Sequence, residues 1–153
     1  MNIEIRAFKQ PTAKHYQLLL SAEPSKAIVE ASLKRAYGFE ARIAGELGGV
    51  LLLLETRPQT LELVNLAVTP ELKQQGIGTQ LVKFGINWAK DHQYATLVVG
   101  TGTTSFVPLY LYQKCGFRAI NIEPDYFVKH YSEPIIENGL VLKDMVRLQL
   151  DLK

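Results

Sequence analysis

Two glycines one residue apart, Gly76 and Gly78, separate an alternating apolar run that ends at Val68 from a helical stripe that begins at Ile77. This order of strand, glycine loop and helix constrains the chain more than any other feature. Glycines at this spacing let the backbone approach a bulky anion with unpaired amides aimed at it, and the helix that follows adds the positive end of its dipole. Lys73-Gln74-Gln75-Gly76-Ile77-Gly78 therefore reads as a phosphate cradle. A nucleoside triphosphate loop would require Gly-Lys-Ser or Gly-Lys-Thr, whereas the chain has Gly78-Thr79-Gln80. A dinucleotide fingerprint would require a third glycine where Leu81 stands and a turn coming almost directly off the strand. Neither condition is met.

The rest of the chain reads as one domain with a single core: 153 residues, 47% of them hydrophobic, and no linker rich in Ser, Gly or Pro. Seventeen basic against fifteen acidic side chains are mixed along the sequence for a net charge of +2, with no basic stripe, so no nucleic-acid partner is expected. The longest apolar run, Val50 to Leu54, falls far short of the roughly 20 residues needed to cross a bilayer, and no membrane is expected. One cysteine, Cys115, precludes an intramolecular disulfide, and the N-terminus lacks a basic region followed by an apolar signal core; both favour the reducing cytoplasm. Periodicity and turn residues predict a strand over 2–8, helices over 13–21 and 25–36 with Ser25 as a cap, and strands over 37–45, 50–55 and 60–68. The second and third strands are expected to join through Gly48-Gly49, and the whole run to form an antiparallel meander. Ile77, Leu81, Phe84 and Trp88 give the next helix one core-facing stripe. A strand over 96–100, a helix over 105–114, a strand over 117–123 and a final strand over 140–150 complete a mixed α/β sandwich.

The remaining phosphate-bearing ligand is coenzyme A. Leu66-Ala67-Val68-Thr69-Pro70-Glu71-Leu72-Lys73-Gln74-Gln75-Gly76-Ile77-Gly78-Thr79-Gln80-Leu81 resembles the acetyl-CoA signature of the GNAT superfamily of N-acetyltransferases. There a strand of valine-like residues runs into Arg/Gln-x-x-Gly-x-Gly/Ala at a helix start. Lys73 stands at the Arg/Gln position, keeping a donor but changing its geometry. Leu111-Tyr112-Gln113-Lys114-Cys115-Gly116-Phe117 resembles a second signature of the same superfamily, at its usual distance. The resemblance, to small bacterial single-domain members, implies a central, mostly antiparallel, splayed mixed sheet with helices on both faces. It also implies acetyl-CoA as cosubstrate and direct transfer to a primary amine in a ternary complex. Carried onto this chain, the cofactor-binding positions are Leu66, Ala67, Val68, Lys73, Gln74, Gln75, Gly76, Ile77, Gly78, Thr79, Ser105 and Tyr112. Ser105 stands where many members have an asparagine that bonds the pantetheine arm.

Acetyl transfer needs a donor where the thioester oxygen gains charge, a base for the ammonium and an acid for the departing thiolate. The resemblance assigns these to the Leu66 amide, to Glu62 and to Tyr112. The plain alternatives are a solvent-facing Glu62 on a half-buried strand and a Tyr112 that merely packs; Tyr110, outside the motif, is the weaker candidate. His15, His92 and His130 fall in different elements and Cys115 stands alone, so neither a covalent nucleophile nor a metal is expected. The long connection from Glu123 through Asp125-Tyr126-Phe127, His130-Tyr131 and Glu133 mixes acidic and aromatic residues. It could close over a small cationic amine, or simply pin itself to the sheet. A homodimer is compatible with the resemblance. A non-catalytic acyl-CoA sensor on the same fold is the rival from another class, and a nucleotide-binding regulator the third reading.

Overall fold

The computed structural model describes residues 2 to 153. In chain order the elements are β1 (Ile3–Ala7), α1 (Ala13–Ala22), α2 (Lys26–Arg35), β2 (Tyr37–Ile43), β3 (Glu46–Arg57), β4 (Thr60–Val68), a 3-10 turn (Pro70–Leu72), α3 (Ile77–Asp91), β5 (Thr96–Gly102), α4 (Phe106–Lys114), β6 (Arg118–Glu123), α5 (Tyr126–His130), β7 (Ile136–Glu137), β8 (Leu140–Val141) and β9 (Met145–Asp151). Seven strands form one sheet in the order β1-β2-β3-β4-β5-β9-β6, and β7 pairs with β8 alone. Every pairing in the large sheet is antiparallel except β4 with β5. The expected mixed α/β sandwich with an antiparallel meander over its first four strands is therefore present.

Helices cover both faces because the strands are apolar on both. On one face Leu51, Leu53, Leu61, Leu63, Leu97, Val99 and Leu148 pack with Ile77, Leu81, Val82 and Ile86 of α3 and Tyr112 of α4. On the other, Val50, Leu52 and Ala67 pack with Leu18 and Leu19 of α1 and Val29 of α2. Each fully buried large apolar side chain contributes about 1.5–3 kcal/mol. Ser25 caps α2 as expected, accepting from the Ile28 amide at 3.2 Å. α1 starts with a reciprocal cap: Thr12 Oγ1 accepts from the His15 amide, and His15 Nδ1 accepts from the Thr12 amide at 3.0 Å. With Nδ1 an acceptor, the ring proton lies on Nε2, which donates to the buried Glu40 of β2 at 2.9 Å. Glu40 also accepts from Arg42 Nε at 2.6 Å and Arg6 Nε at 3.0 Å.

Two sequence expectations are corrected. The turn between β2 and β3 is made by Ala44 and Gly45, both at positive φ, while Gly48 and Gly49 lie inside β3. They are glycine for packing reasons: a Cβ on Gly48 would collide with Ile43 Cδ1, and one on Gly49 would sit 2.9 Å from Leu81 Cδ1. The final strand is not continuous from 140; β8 pairs back on β7, and β9 begins at Met145. The long connection before it carries a short helix, α5, that was not foreseen.

Candidate active site

The glycine loop leaves an anion cradle. Gln74 and Gly76 both have positive φ, 64° and 83°, and α3 begins at Ile77 with no side-chain cap. None of the amides from 74 to 79 donates to another backbone carbonyl or to a side chain of the described residues; the first bond of the helix runs from the Gln80 amide to Gly76 O at 3.0 Å. A Cβ on Gly76 would meet nothing within 4 Å, so the cradle opens to solvent. Gly78 faces inward instead, its missing Cβ lying 3.4 Å from Leu111 Cδ2 of α4. Lys73 is exposed at the rim.

Above the cradle the sheet splits. β4 and β5 pair only from Thr60↔Thr96 to Leu63↔Val99, although both strands run on. The split coincides with a bulge. Against β3, Leu52 faces Asn65 and Leu53 faces Leu63, so Val64 is an extra residue on β4. The bulge exchanges the two faces of the strand. Leu61 and Leu63 pack on the α3 side before it, and Leu66 and Val68 do so after it. Beyond the bulge, the Thr69 amide donates to Gly48 O at 2.9 Å. Alternation along an antiparallel ladder then turns the Ala67 and Asn65 amides toward β3 and leaves those of Leu66 and Val68 facing the gap. Of the three strand positions carried over from the family, Leu66 and Val68 present donors to the opening and Ala67 is turned away.

Glu62 and Val64 lie on the opposite face, the α1 side, and so does Asn65, whose Nδ2 donates to Leu19 O of α1 at 3.1 Å. Glu62 is half-buried and makes no ion pair among the described residues. Burial pushes its carboxyl above the ordinary value, and the charge of Arg147 offsets part of that rise. Arg147 stands opposite Gly100 on β9 and donates through Nε and Nη2 to Glu123 Oε1 at 3.2 and 3.0 Å.

α5 and the turn after it roof this face. The rings of Tyr126, Phe127, His130 and Tyr131 form a chain of contacts: Tyr126 meets Phe127 edge-on at 5.1 Å and His130 tilted at 4.4 Å, and Phe127 stacks on Tyr131 at 5.8 Å. Tyr131 Oη donates to Glu23 Oε1 at 2.7 Å, tying the roof to the end of α1. Burial raises the Tyr126 phenol, and the carboxylates of Glu123, Glu23 and Glu62 add to the rise against the pull of Arg147. Glu23, Asn65 and Arg147 were not singled out from sequence. Asn65 left a trace, a polar residue at a buried beat of the β4 alternation; Glu23 and Arg147 are ordinary surface charges until the fold brings them together.

Tyr112 is buried on α4, with its ring 5.7 Å from that of Phe117 in an edge-on arrangement. It belongs to the core against which Leu66 and Val68 pack. Burial drives its phenol well above the usual range, so it keeps its proton at neutral pH. Tyr110 is 68% exposed and points away from this core. Ser105 is buried at the start of α4, and its hydroxyl donates to Glu137 Oε1 of the β7–β8 hairpin at 2.7 Å. Its lone pairs remain free to accept. Among the described residues two buried side-chain polar atoms lack a partner, Asn65 Oδ1 on β4 and Thr104 Oγ1 just beyond β5. Asn65 lies past the last β4–β5 pair and Thr104 past the end of β5, on the two strands that part. No group of three or more His, Cys, Asp or Glu among the described residues could hold a metal ion, and no helix is long and apolar enough to cross a membrane.

Comparison with known proteins agrees with this geometry. Residues 4–117 match the model of the acetyltransferase (GNAT) family. The chain is 51% identical over 137 residues to the Bacillus subtilis protein called uncharacterized N-acetyltransferase YvbK, covering 90% of this chain and 88% of that one. A crystal structure of a Bacillus subtilis acetyltransferase in complex with CoA superposes with a TM-score of 0.96 at 47% identity, over 99% of this chain and 100% of the other. A GNAT family acetyltransferase from Elizabethkingia anophelis with acetyl-CoA bound gives 0.94 at 40% identity, over 98% of both chains. The free amides of the cradle and the free amides of Leu66 and Val68 suit a ligand of that kind, anionic at one end and rich in carbonyl groups along its arm.

Proposed function

The chain belongs to the GNAT acetyltransferase family, and from that premise we propose that it moves an acetyl group from acetyl-CoA to a small primary amine by direct transfer in a ternary complex. It acts as a single domain over residues 1 to 153, in the reducing cytoplasm. Acetyl-CoA supplies the acyl group and a thiolate leaving group. The 74–79 amides and the α3 dipole hold its pyrophosphate, with Lys73 as a cationic anchor at the rim. Val68 N–H and the Ser105 hydroxyl hold the arm. The Leu66 amide donates to the oxygen that gains negative charge on attack. Glu62 takes a proton from the incoming ammonium; the new N–C bond forms as the C–S bond breaks, Tyr112 gives its proton to the thiolate, and the second proton shed by the nitrogen leaves to solvent, from which Tyr112 is reprotonated. A carboxyl held above its ordinary value by burial is a better base, and a phenol that stays protonated is ready as the acid. The observation that carries this reading is the early end of β4–β5 pairing at Leu63↔Val99, which leaves strand amides open directly above the glycine cradle. Small amines are favoured because the segment after α5 is tied down to the end of α1 over this face by the Tyr131–Glu23 hydrogen bond.

Calorimetric titration with acetyl-CoA, with ATP and NAD as controls, tests the reading. Selective binding of acetyl-CoA is expected, with affinity lost in Gly76→Val, since a β-branched residue at φ 83° would distort the loop. Binding of ATP instead, or none, would remove every catalytic role given above. Acetyl-CoA binding with no turnover on any amine would favour the sensor.

A further inference from the structure

The acceptor side of the split is poor in donors. Glu23 holds its carboxylate between two neutral partners, Tyr131 Oη at 2.7 Å and the Ser25 amide at 3.1 Å, and no cation lies within ion-pair distance among the described residues. Glu62 is likewise without an ion pair. Asn65 Oδ1, on the same face and in a side chain more than nine-tenths buried, accepts nothing. Arg147, the cation of the sheet face, pairs with Glu123, and its charge also reaches Glu62 and Tyr126 but is not among the groups that act on Glu23. Lys129 and His130 are exposed on α5, and the His130 ring lies against Tyr126 at 4.4 Å. This face therefore offers two carboxylates, Glu23 at the end of α1 and Glu62 on β4, with the buried Asn65 oxygen behind them and the aromatic rings of α5 and Tyr131 beside them.

A monoamine satisfies this set only in part. Once its ammonium has passed a proton to Glu62, that carboxyl is neutral and the Glu23 carboxylate still faces the pocket without a cation. A second ammonium on the same molecule would meet Glu23 and the faces of Tyr126 and Tyr131 while the first reacts. We propose that the acceptor is a small organic diamine, acetylated on one nitrogen, and that Glu23 is the specificity-determining residue that reads the distal charge. The proposal rests on the acetyltransfer reading and on Glu62 as its base. The Tyr131 hydrogen bond orients Glu23 without neutralising it.

Steady-state kinetics with acetyl-CoA on three matched acceptors test it: 1,4-diaminobutane, n-butylamine and 4-aminobutyrate. The diamine should lead n-butylamine by about tenfold or more in kcat/KM, the effect of one favourable charge contact of about 1.4 kcal/mol. The amino acid, with a carboxylate at the distal end, should come last. Glu23→Gln should shrink the diamine-to-monoamine ratio to within about twofold of unity, mainly through KM for the diamine. A purely structural role for Glu23 would lower both amines alike and keep the ratio, and that result overturns the proposal, as does equal kcat/KM in the parent enzyme. The titration above separates the two levels. Acetyl-CoA binding with none of the three amines acetylated overturns the diamine proposal alone, and failure to bind acetyl-CoA overturns both.

Discussion

Replacing Glu40 by Gln should destabilise the protein in a way that depends on pH, and the structure gives the size. The Glu40 side chain is 4% exposed and takes three charge-assisted or polar donors, from Arg42, His15 and Arg6. Burial alone would raise its carboxyl, but these hydrogen bonds outweigh it and hold the group at about 2, against an ordinary 4.5. A difference of that size corresponds to ~3 kcal/mol of stability at pH 7, at 1.36 kcal/mol per unit. Because the folded-state value is depressed, the contribution is fully present above the unfolded value and disappears as pH falls through the folded one. At pH 3, between the two, only ~1 kcal/mol remains by the same linkage relation. Glutamine keeps an acceptor for His15 Nε2 but presents an amide where Arg42 and Arg6 need a charge. Urea unfolding of parent and variant at pH 7 and pH 3 measures both differences. A gap that is the same at the two pH values, or below about 1 kcal/mol at pH 7, would refute the assignment of Glu40 as an ionised hub. The consequence extends to the site, since the His15–Glu40 contact seats α1, and α1 carries both the Leu19 carbonyl that holds Asn65 and the Glu23 carboxylate.

The other expectations concern the proposed catalytic groups. Tyr112→Phe should lower kcat by about 10²-fold, far more than it weakens acetyl-CoA binding, as expected for loss of a general acid; a kcat within about twofold would make Tyr112 a packing residue. Glu62→Gln should abolish the acidic limb of the pH–rate profile together with most turnover. Its raised folded-state value means that ionisation at Glu62 favours unfolding, so its contribution to stability is present below the unfolded value and lost as pH rises through the folded one. The variant should therefore melt higher than the parent at pH 8 and about equally at pH 4, which differential scanning calorimetry would read; a lower melting point at pH 8 would contradict the burial of a charge at that position.

Much of the fold was legible because local signals and tertiary demands agree. The Ile77-Leu81-Phe84-Trp88 stripe, the Ser25 cap and the extent of β4 all follow from periodicity and capping, and each appears where expected. Gly48-Gly49 misled because a glycine pair signals a turn, while here the cause is close approach of Ile43 across the β2–β3 hairpin and of Leu81 from the distant α3. The glycine cradle was legible because one short loop carries it. The face proposed for the acceptor was not, because Glu23 and Tyr131 meet across 108 positions of chain, and Arg147 reaches Glu62's face only through the order of the strands.

The bulge at Val64 shows how a regular sequence can hide a functional irregularity. Thr60 to Val68 alternates without a break in burial, as an uninterrupted strand would. The alternation survives the bulge because both faces of the sheet are covered. Odd-numbered side chains are buried under α3 before Val64 and under α1 after it. A shift of one residue in a strand flips every side chain beyond it, and in a sheet with one solvated face that flip would have left a hydrophobic stripe exposed and visible in the sequence. Here it costs little burial, and two results follow from one inserted residue. Glu62 stays on the α1 face while the Leu66 and Val68 side chains turn to the α3 face, and pairing with β5 ends at Leu63↔Val99 so that their amides open onto the gap. The proposed base thus lies on one face before the bulge, and the proposed oxyanion donor points along the sheet into the gap after it, where the proposed transfer would take place.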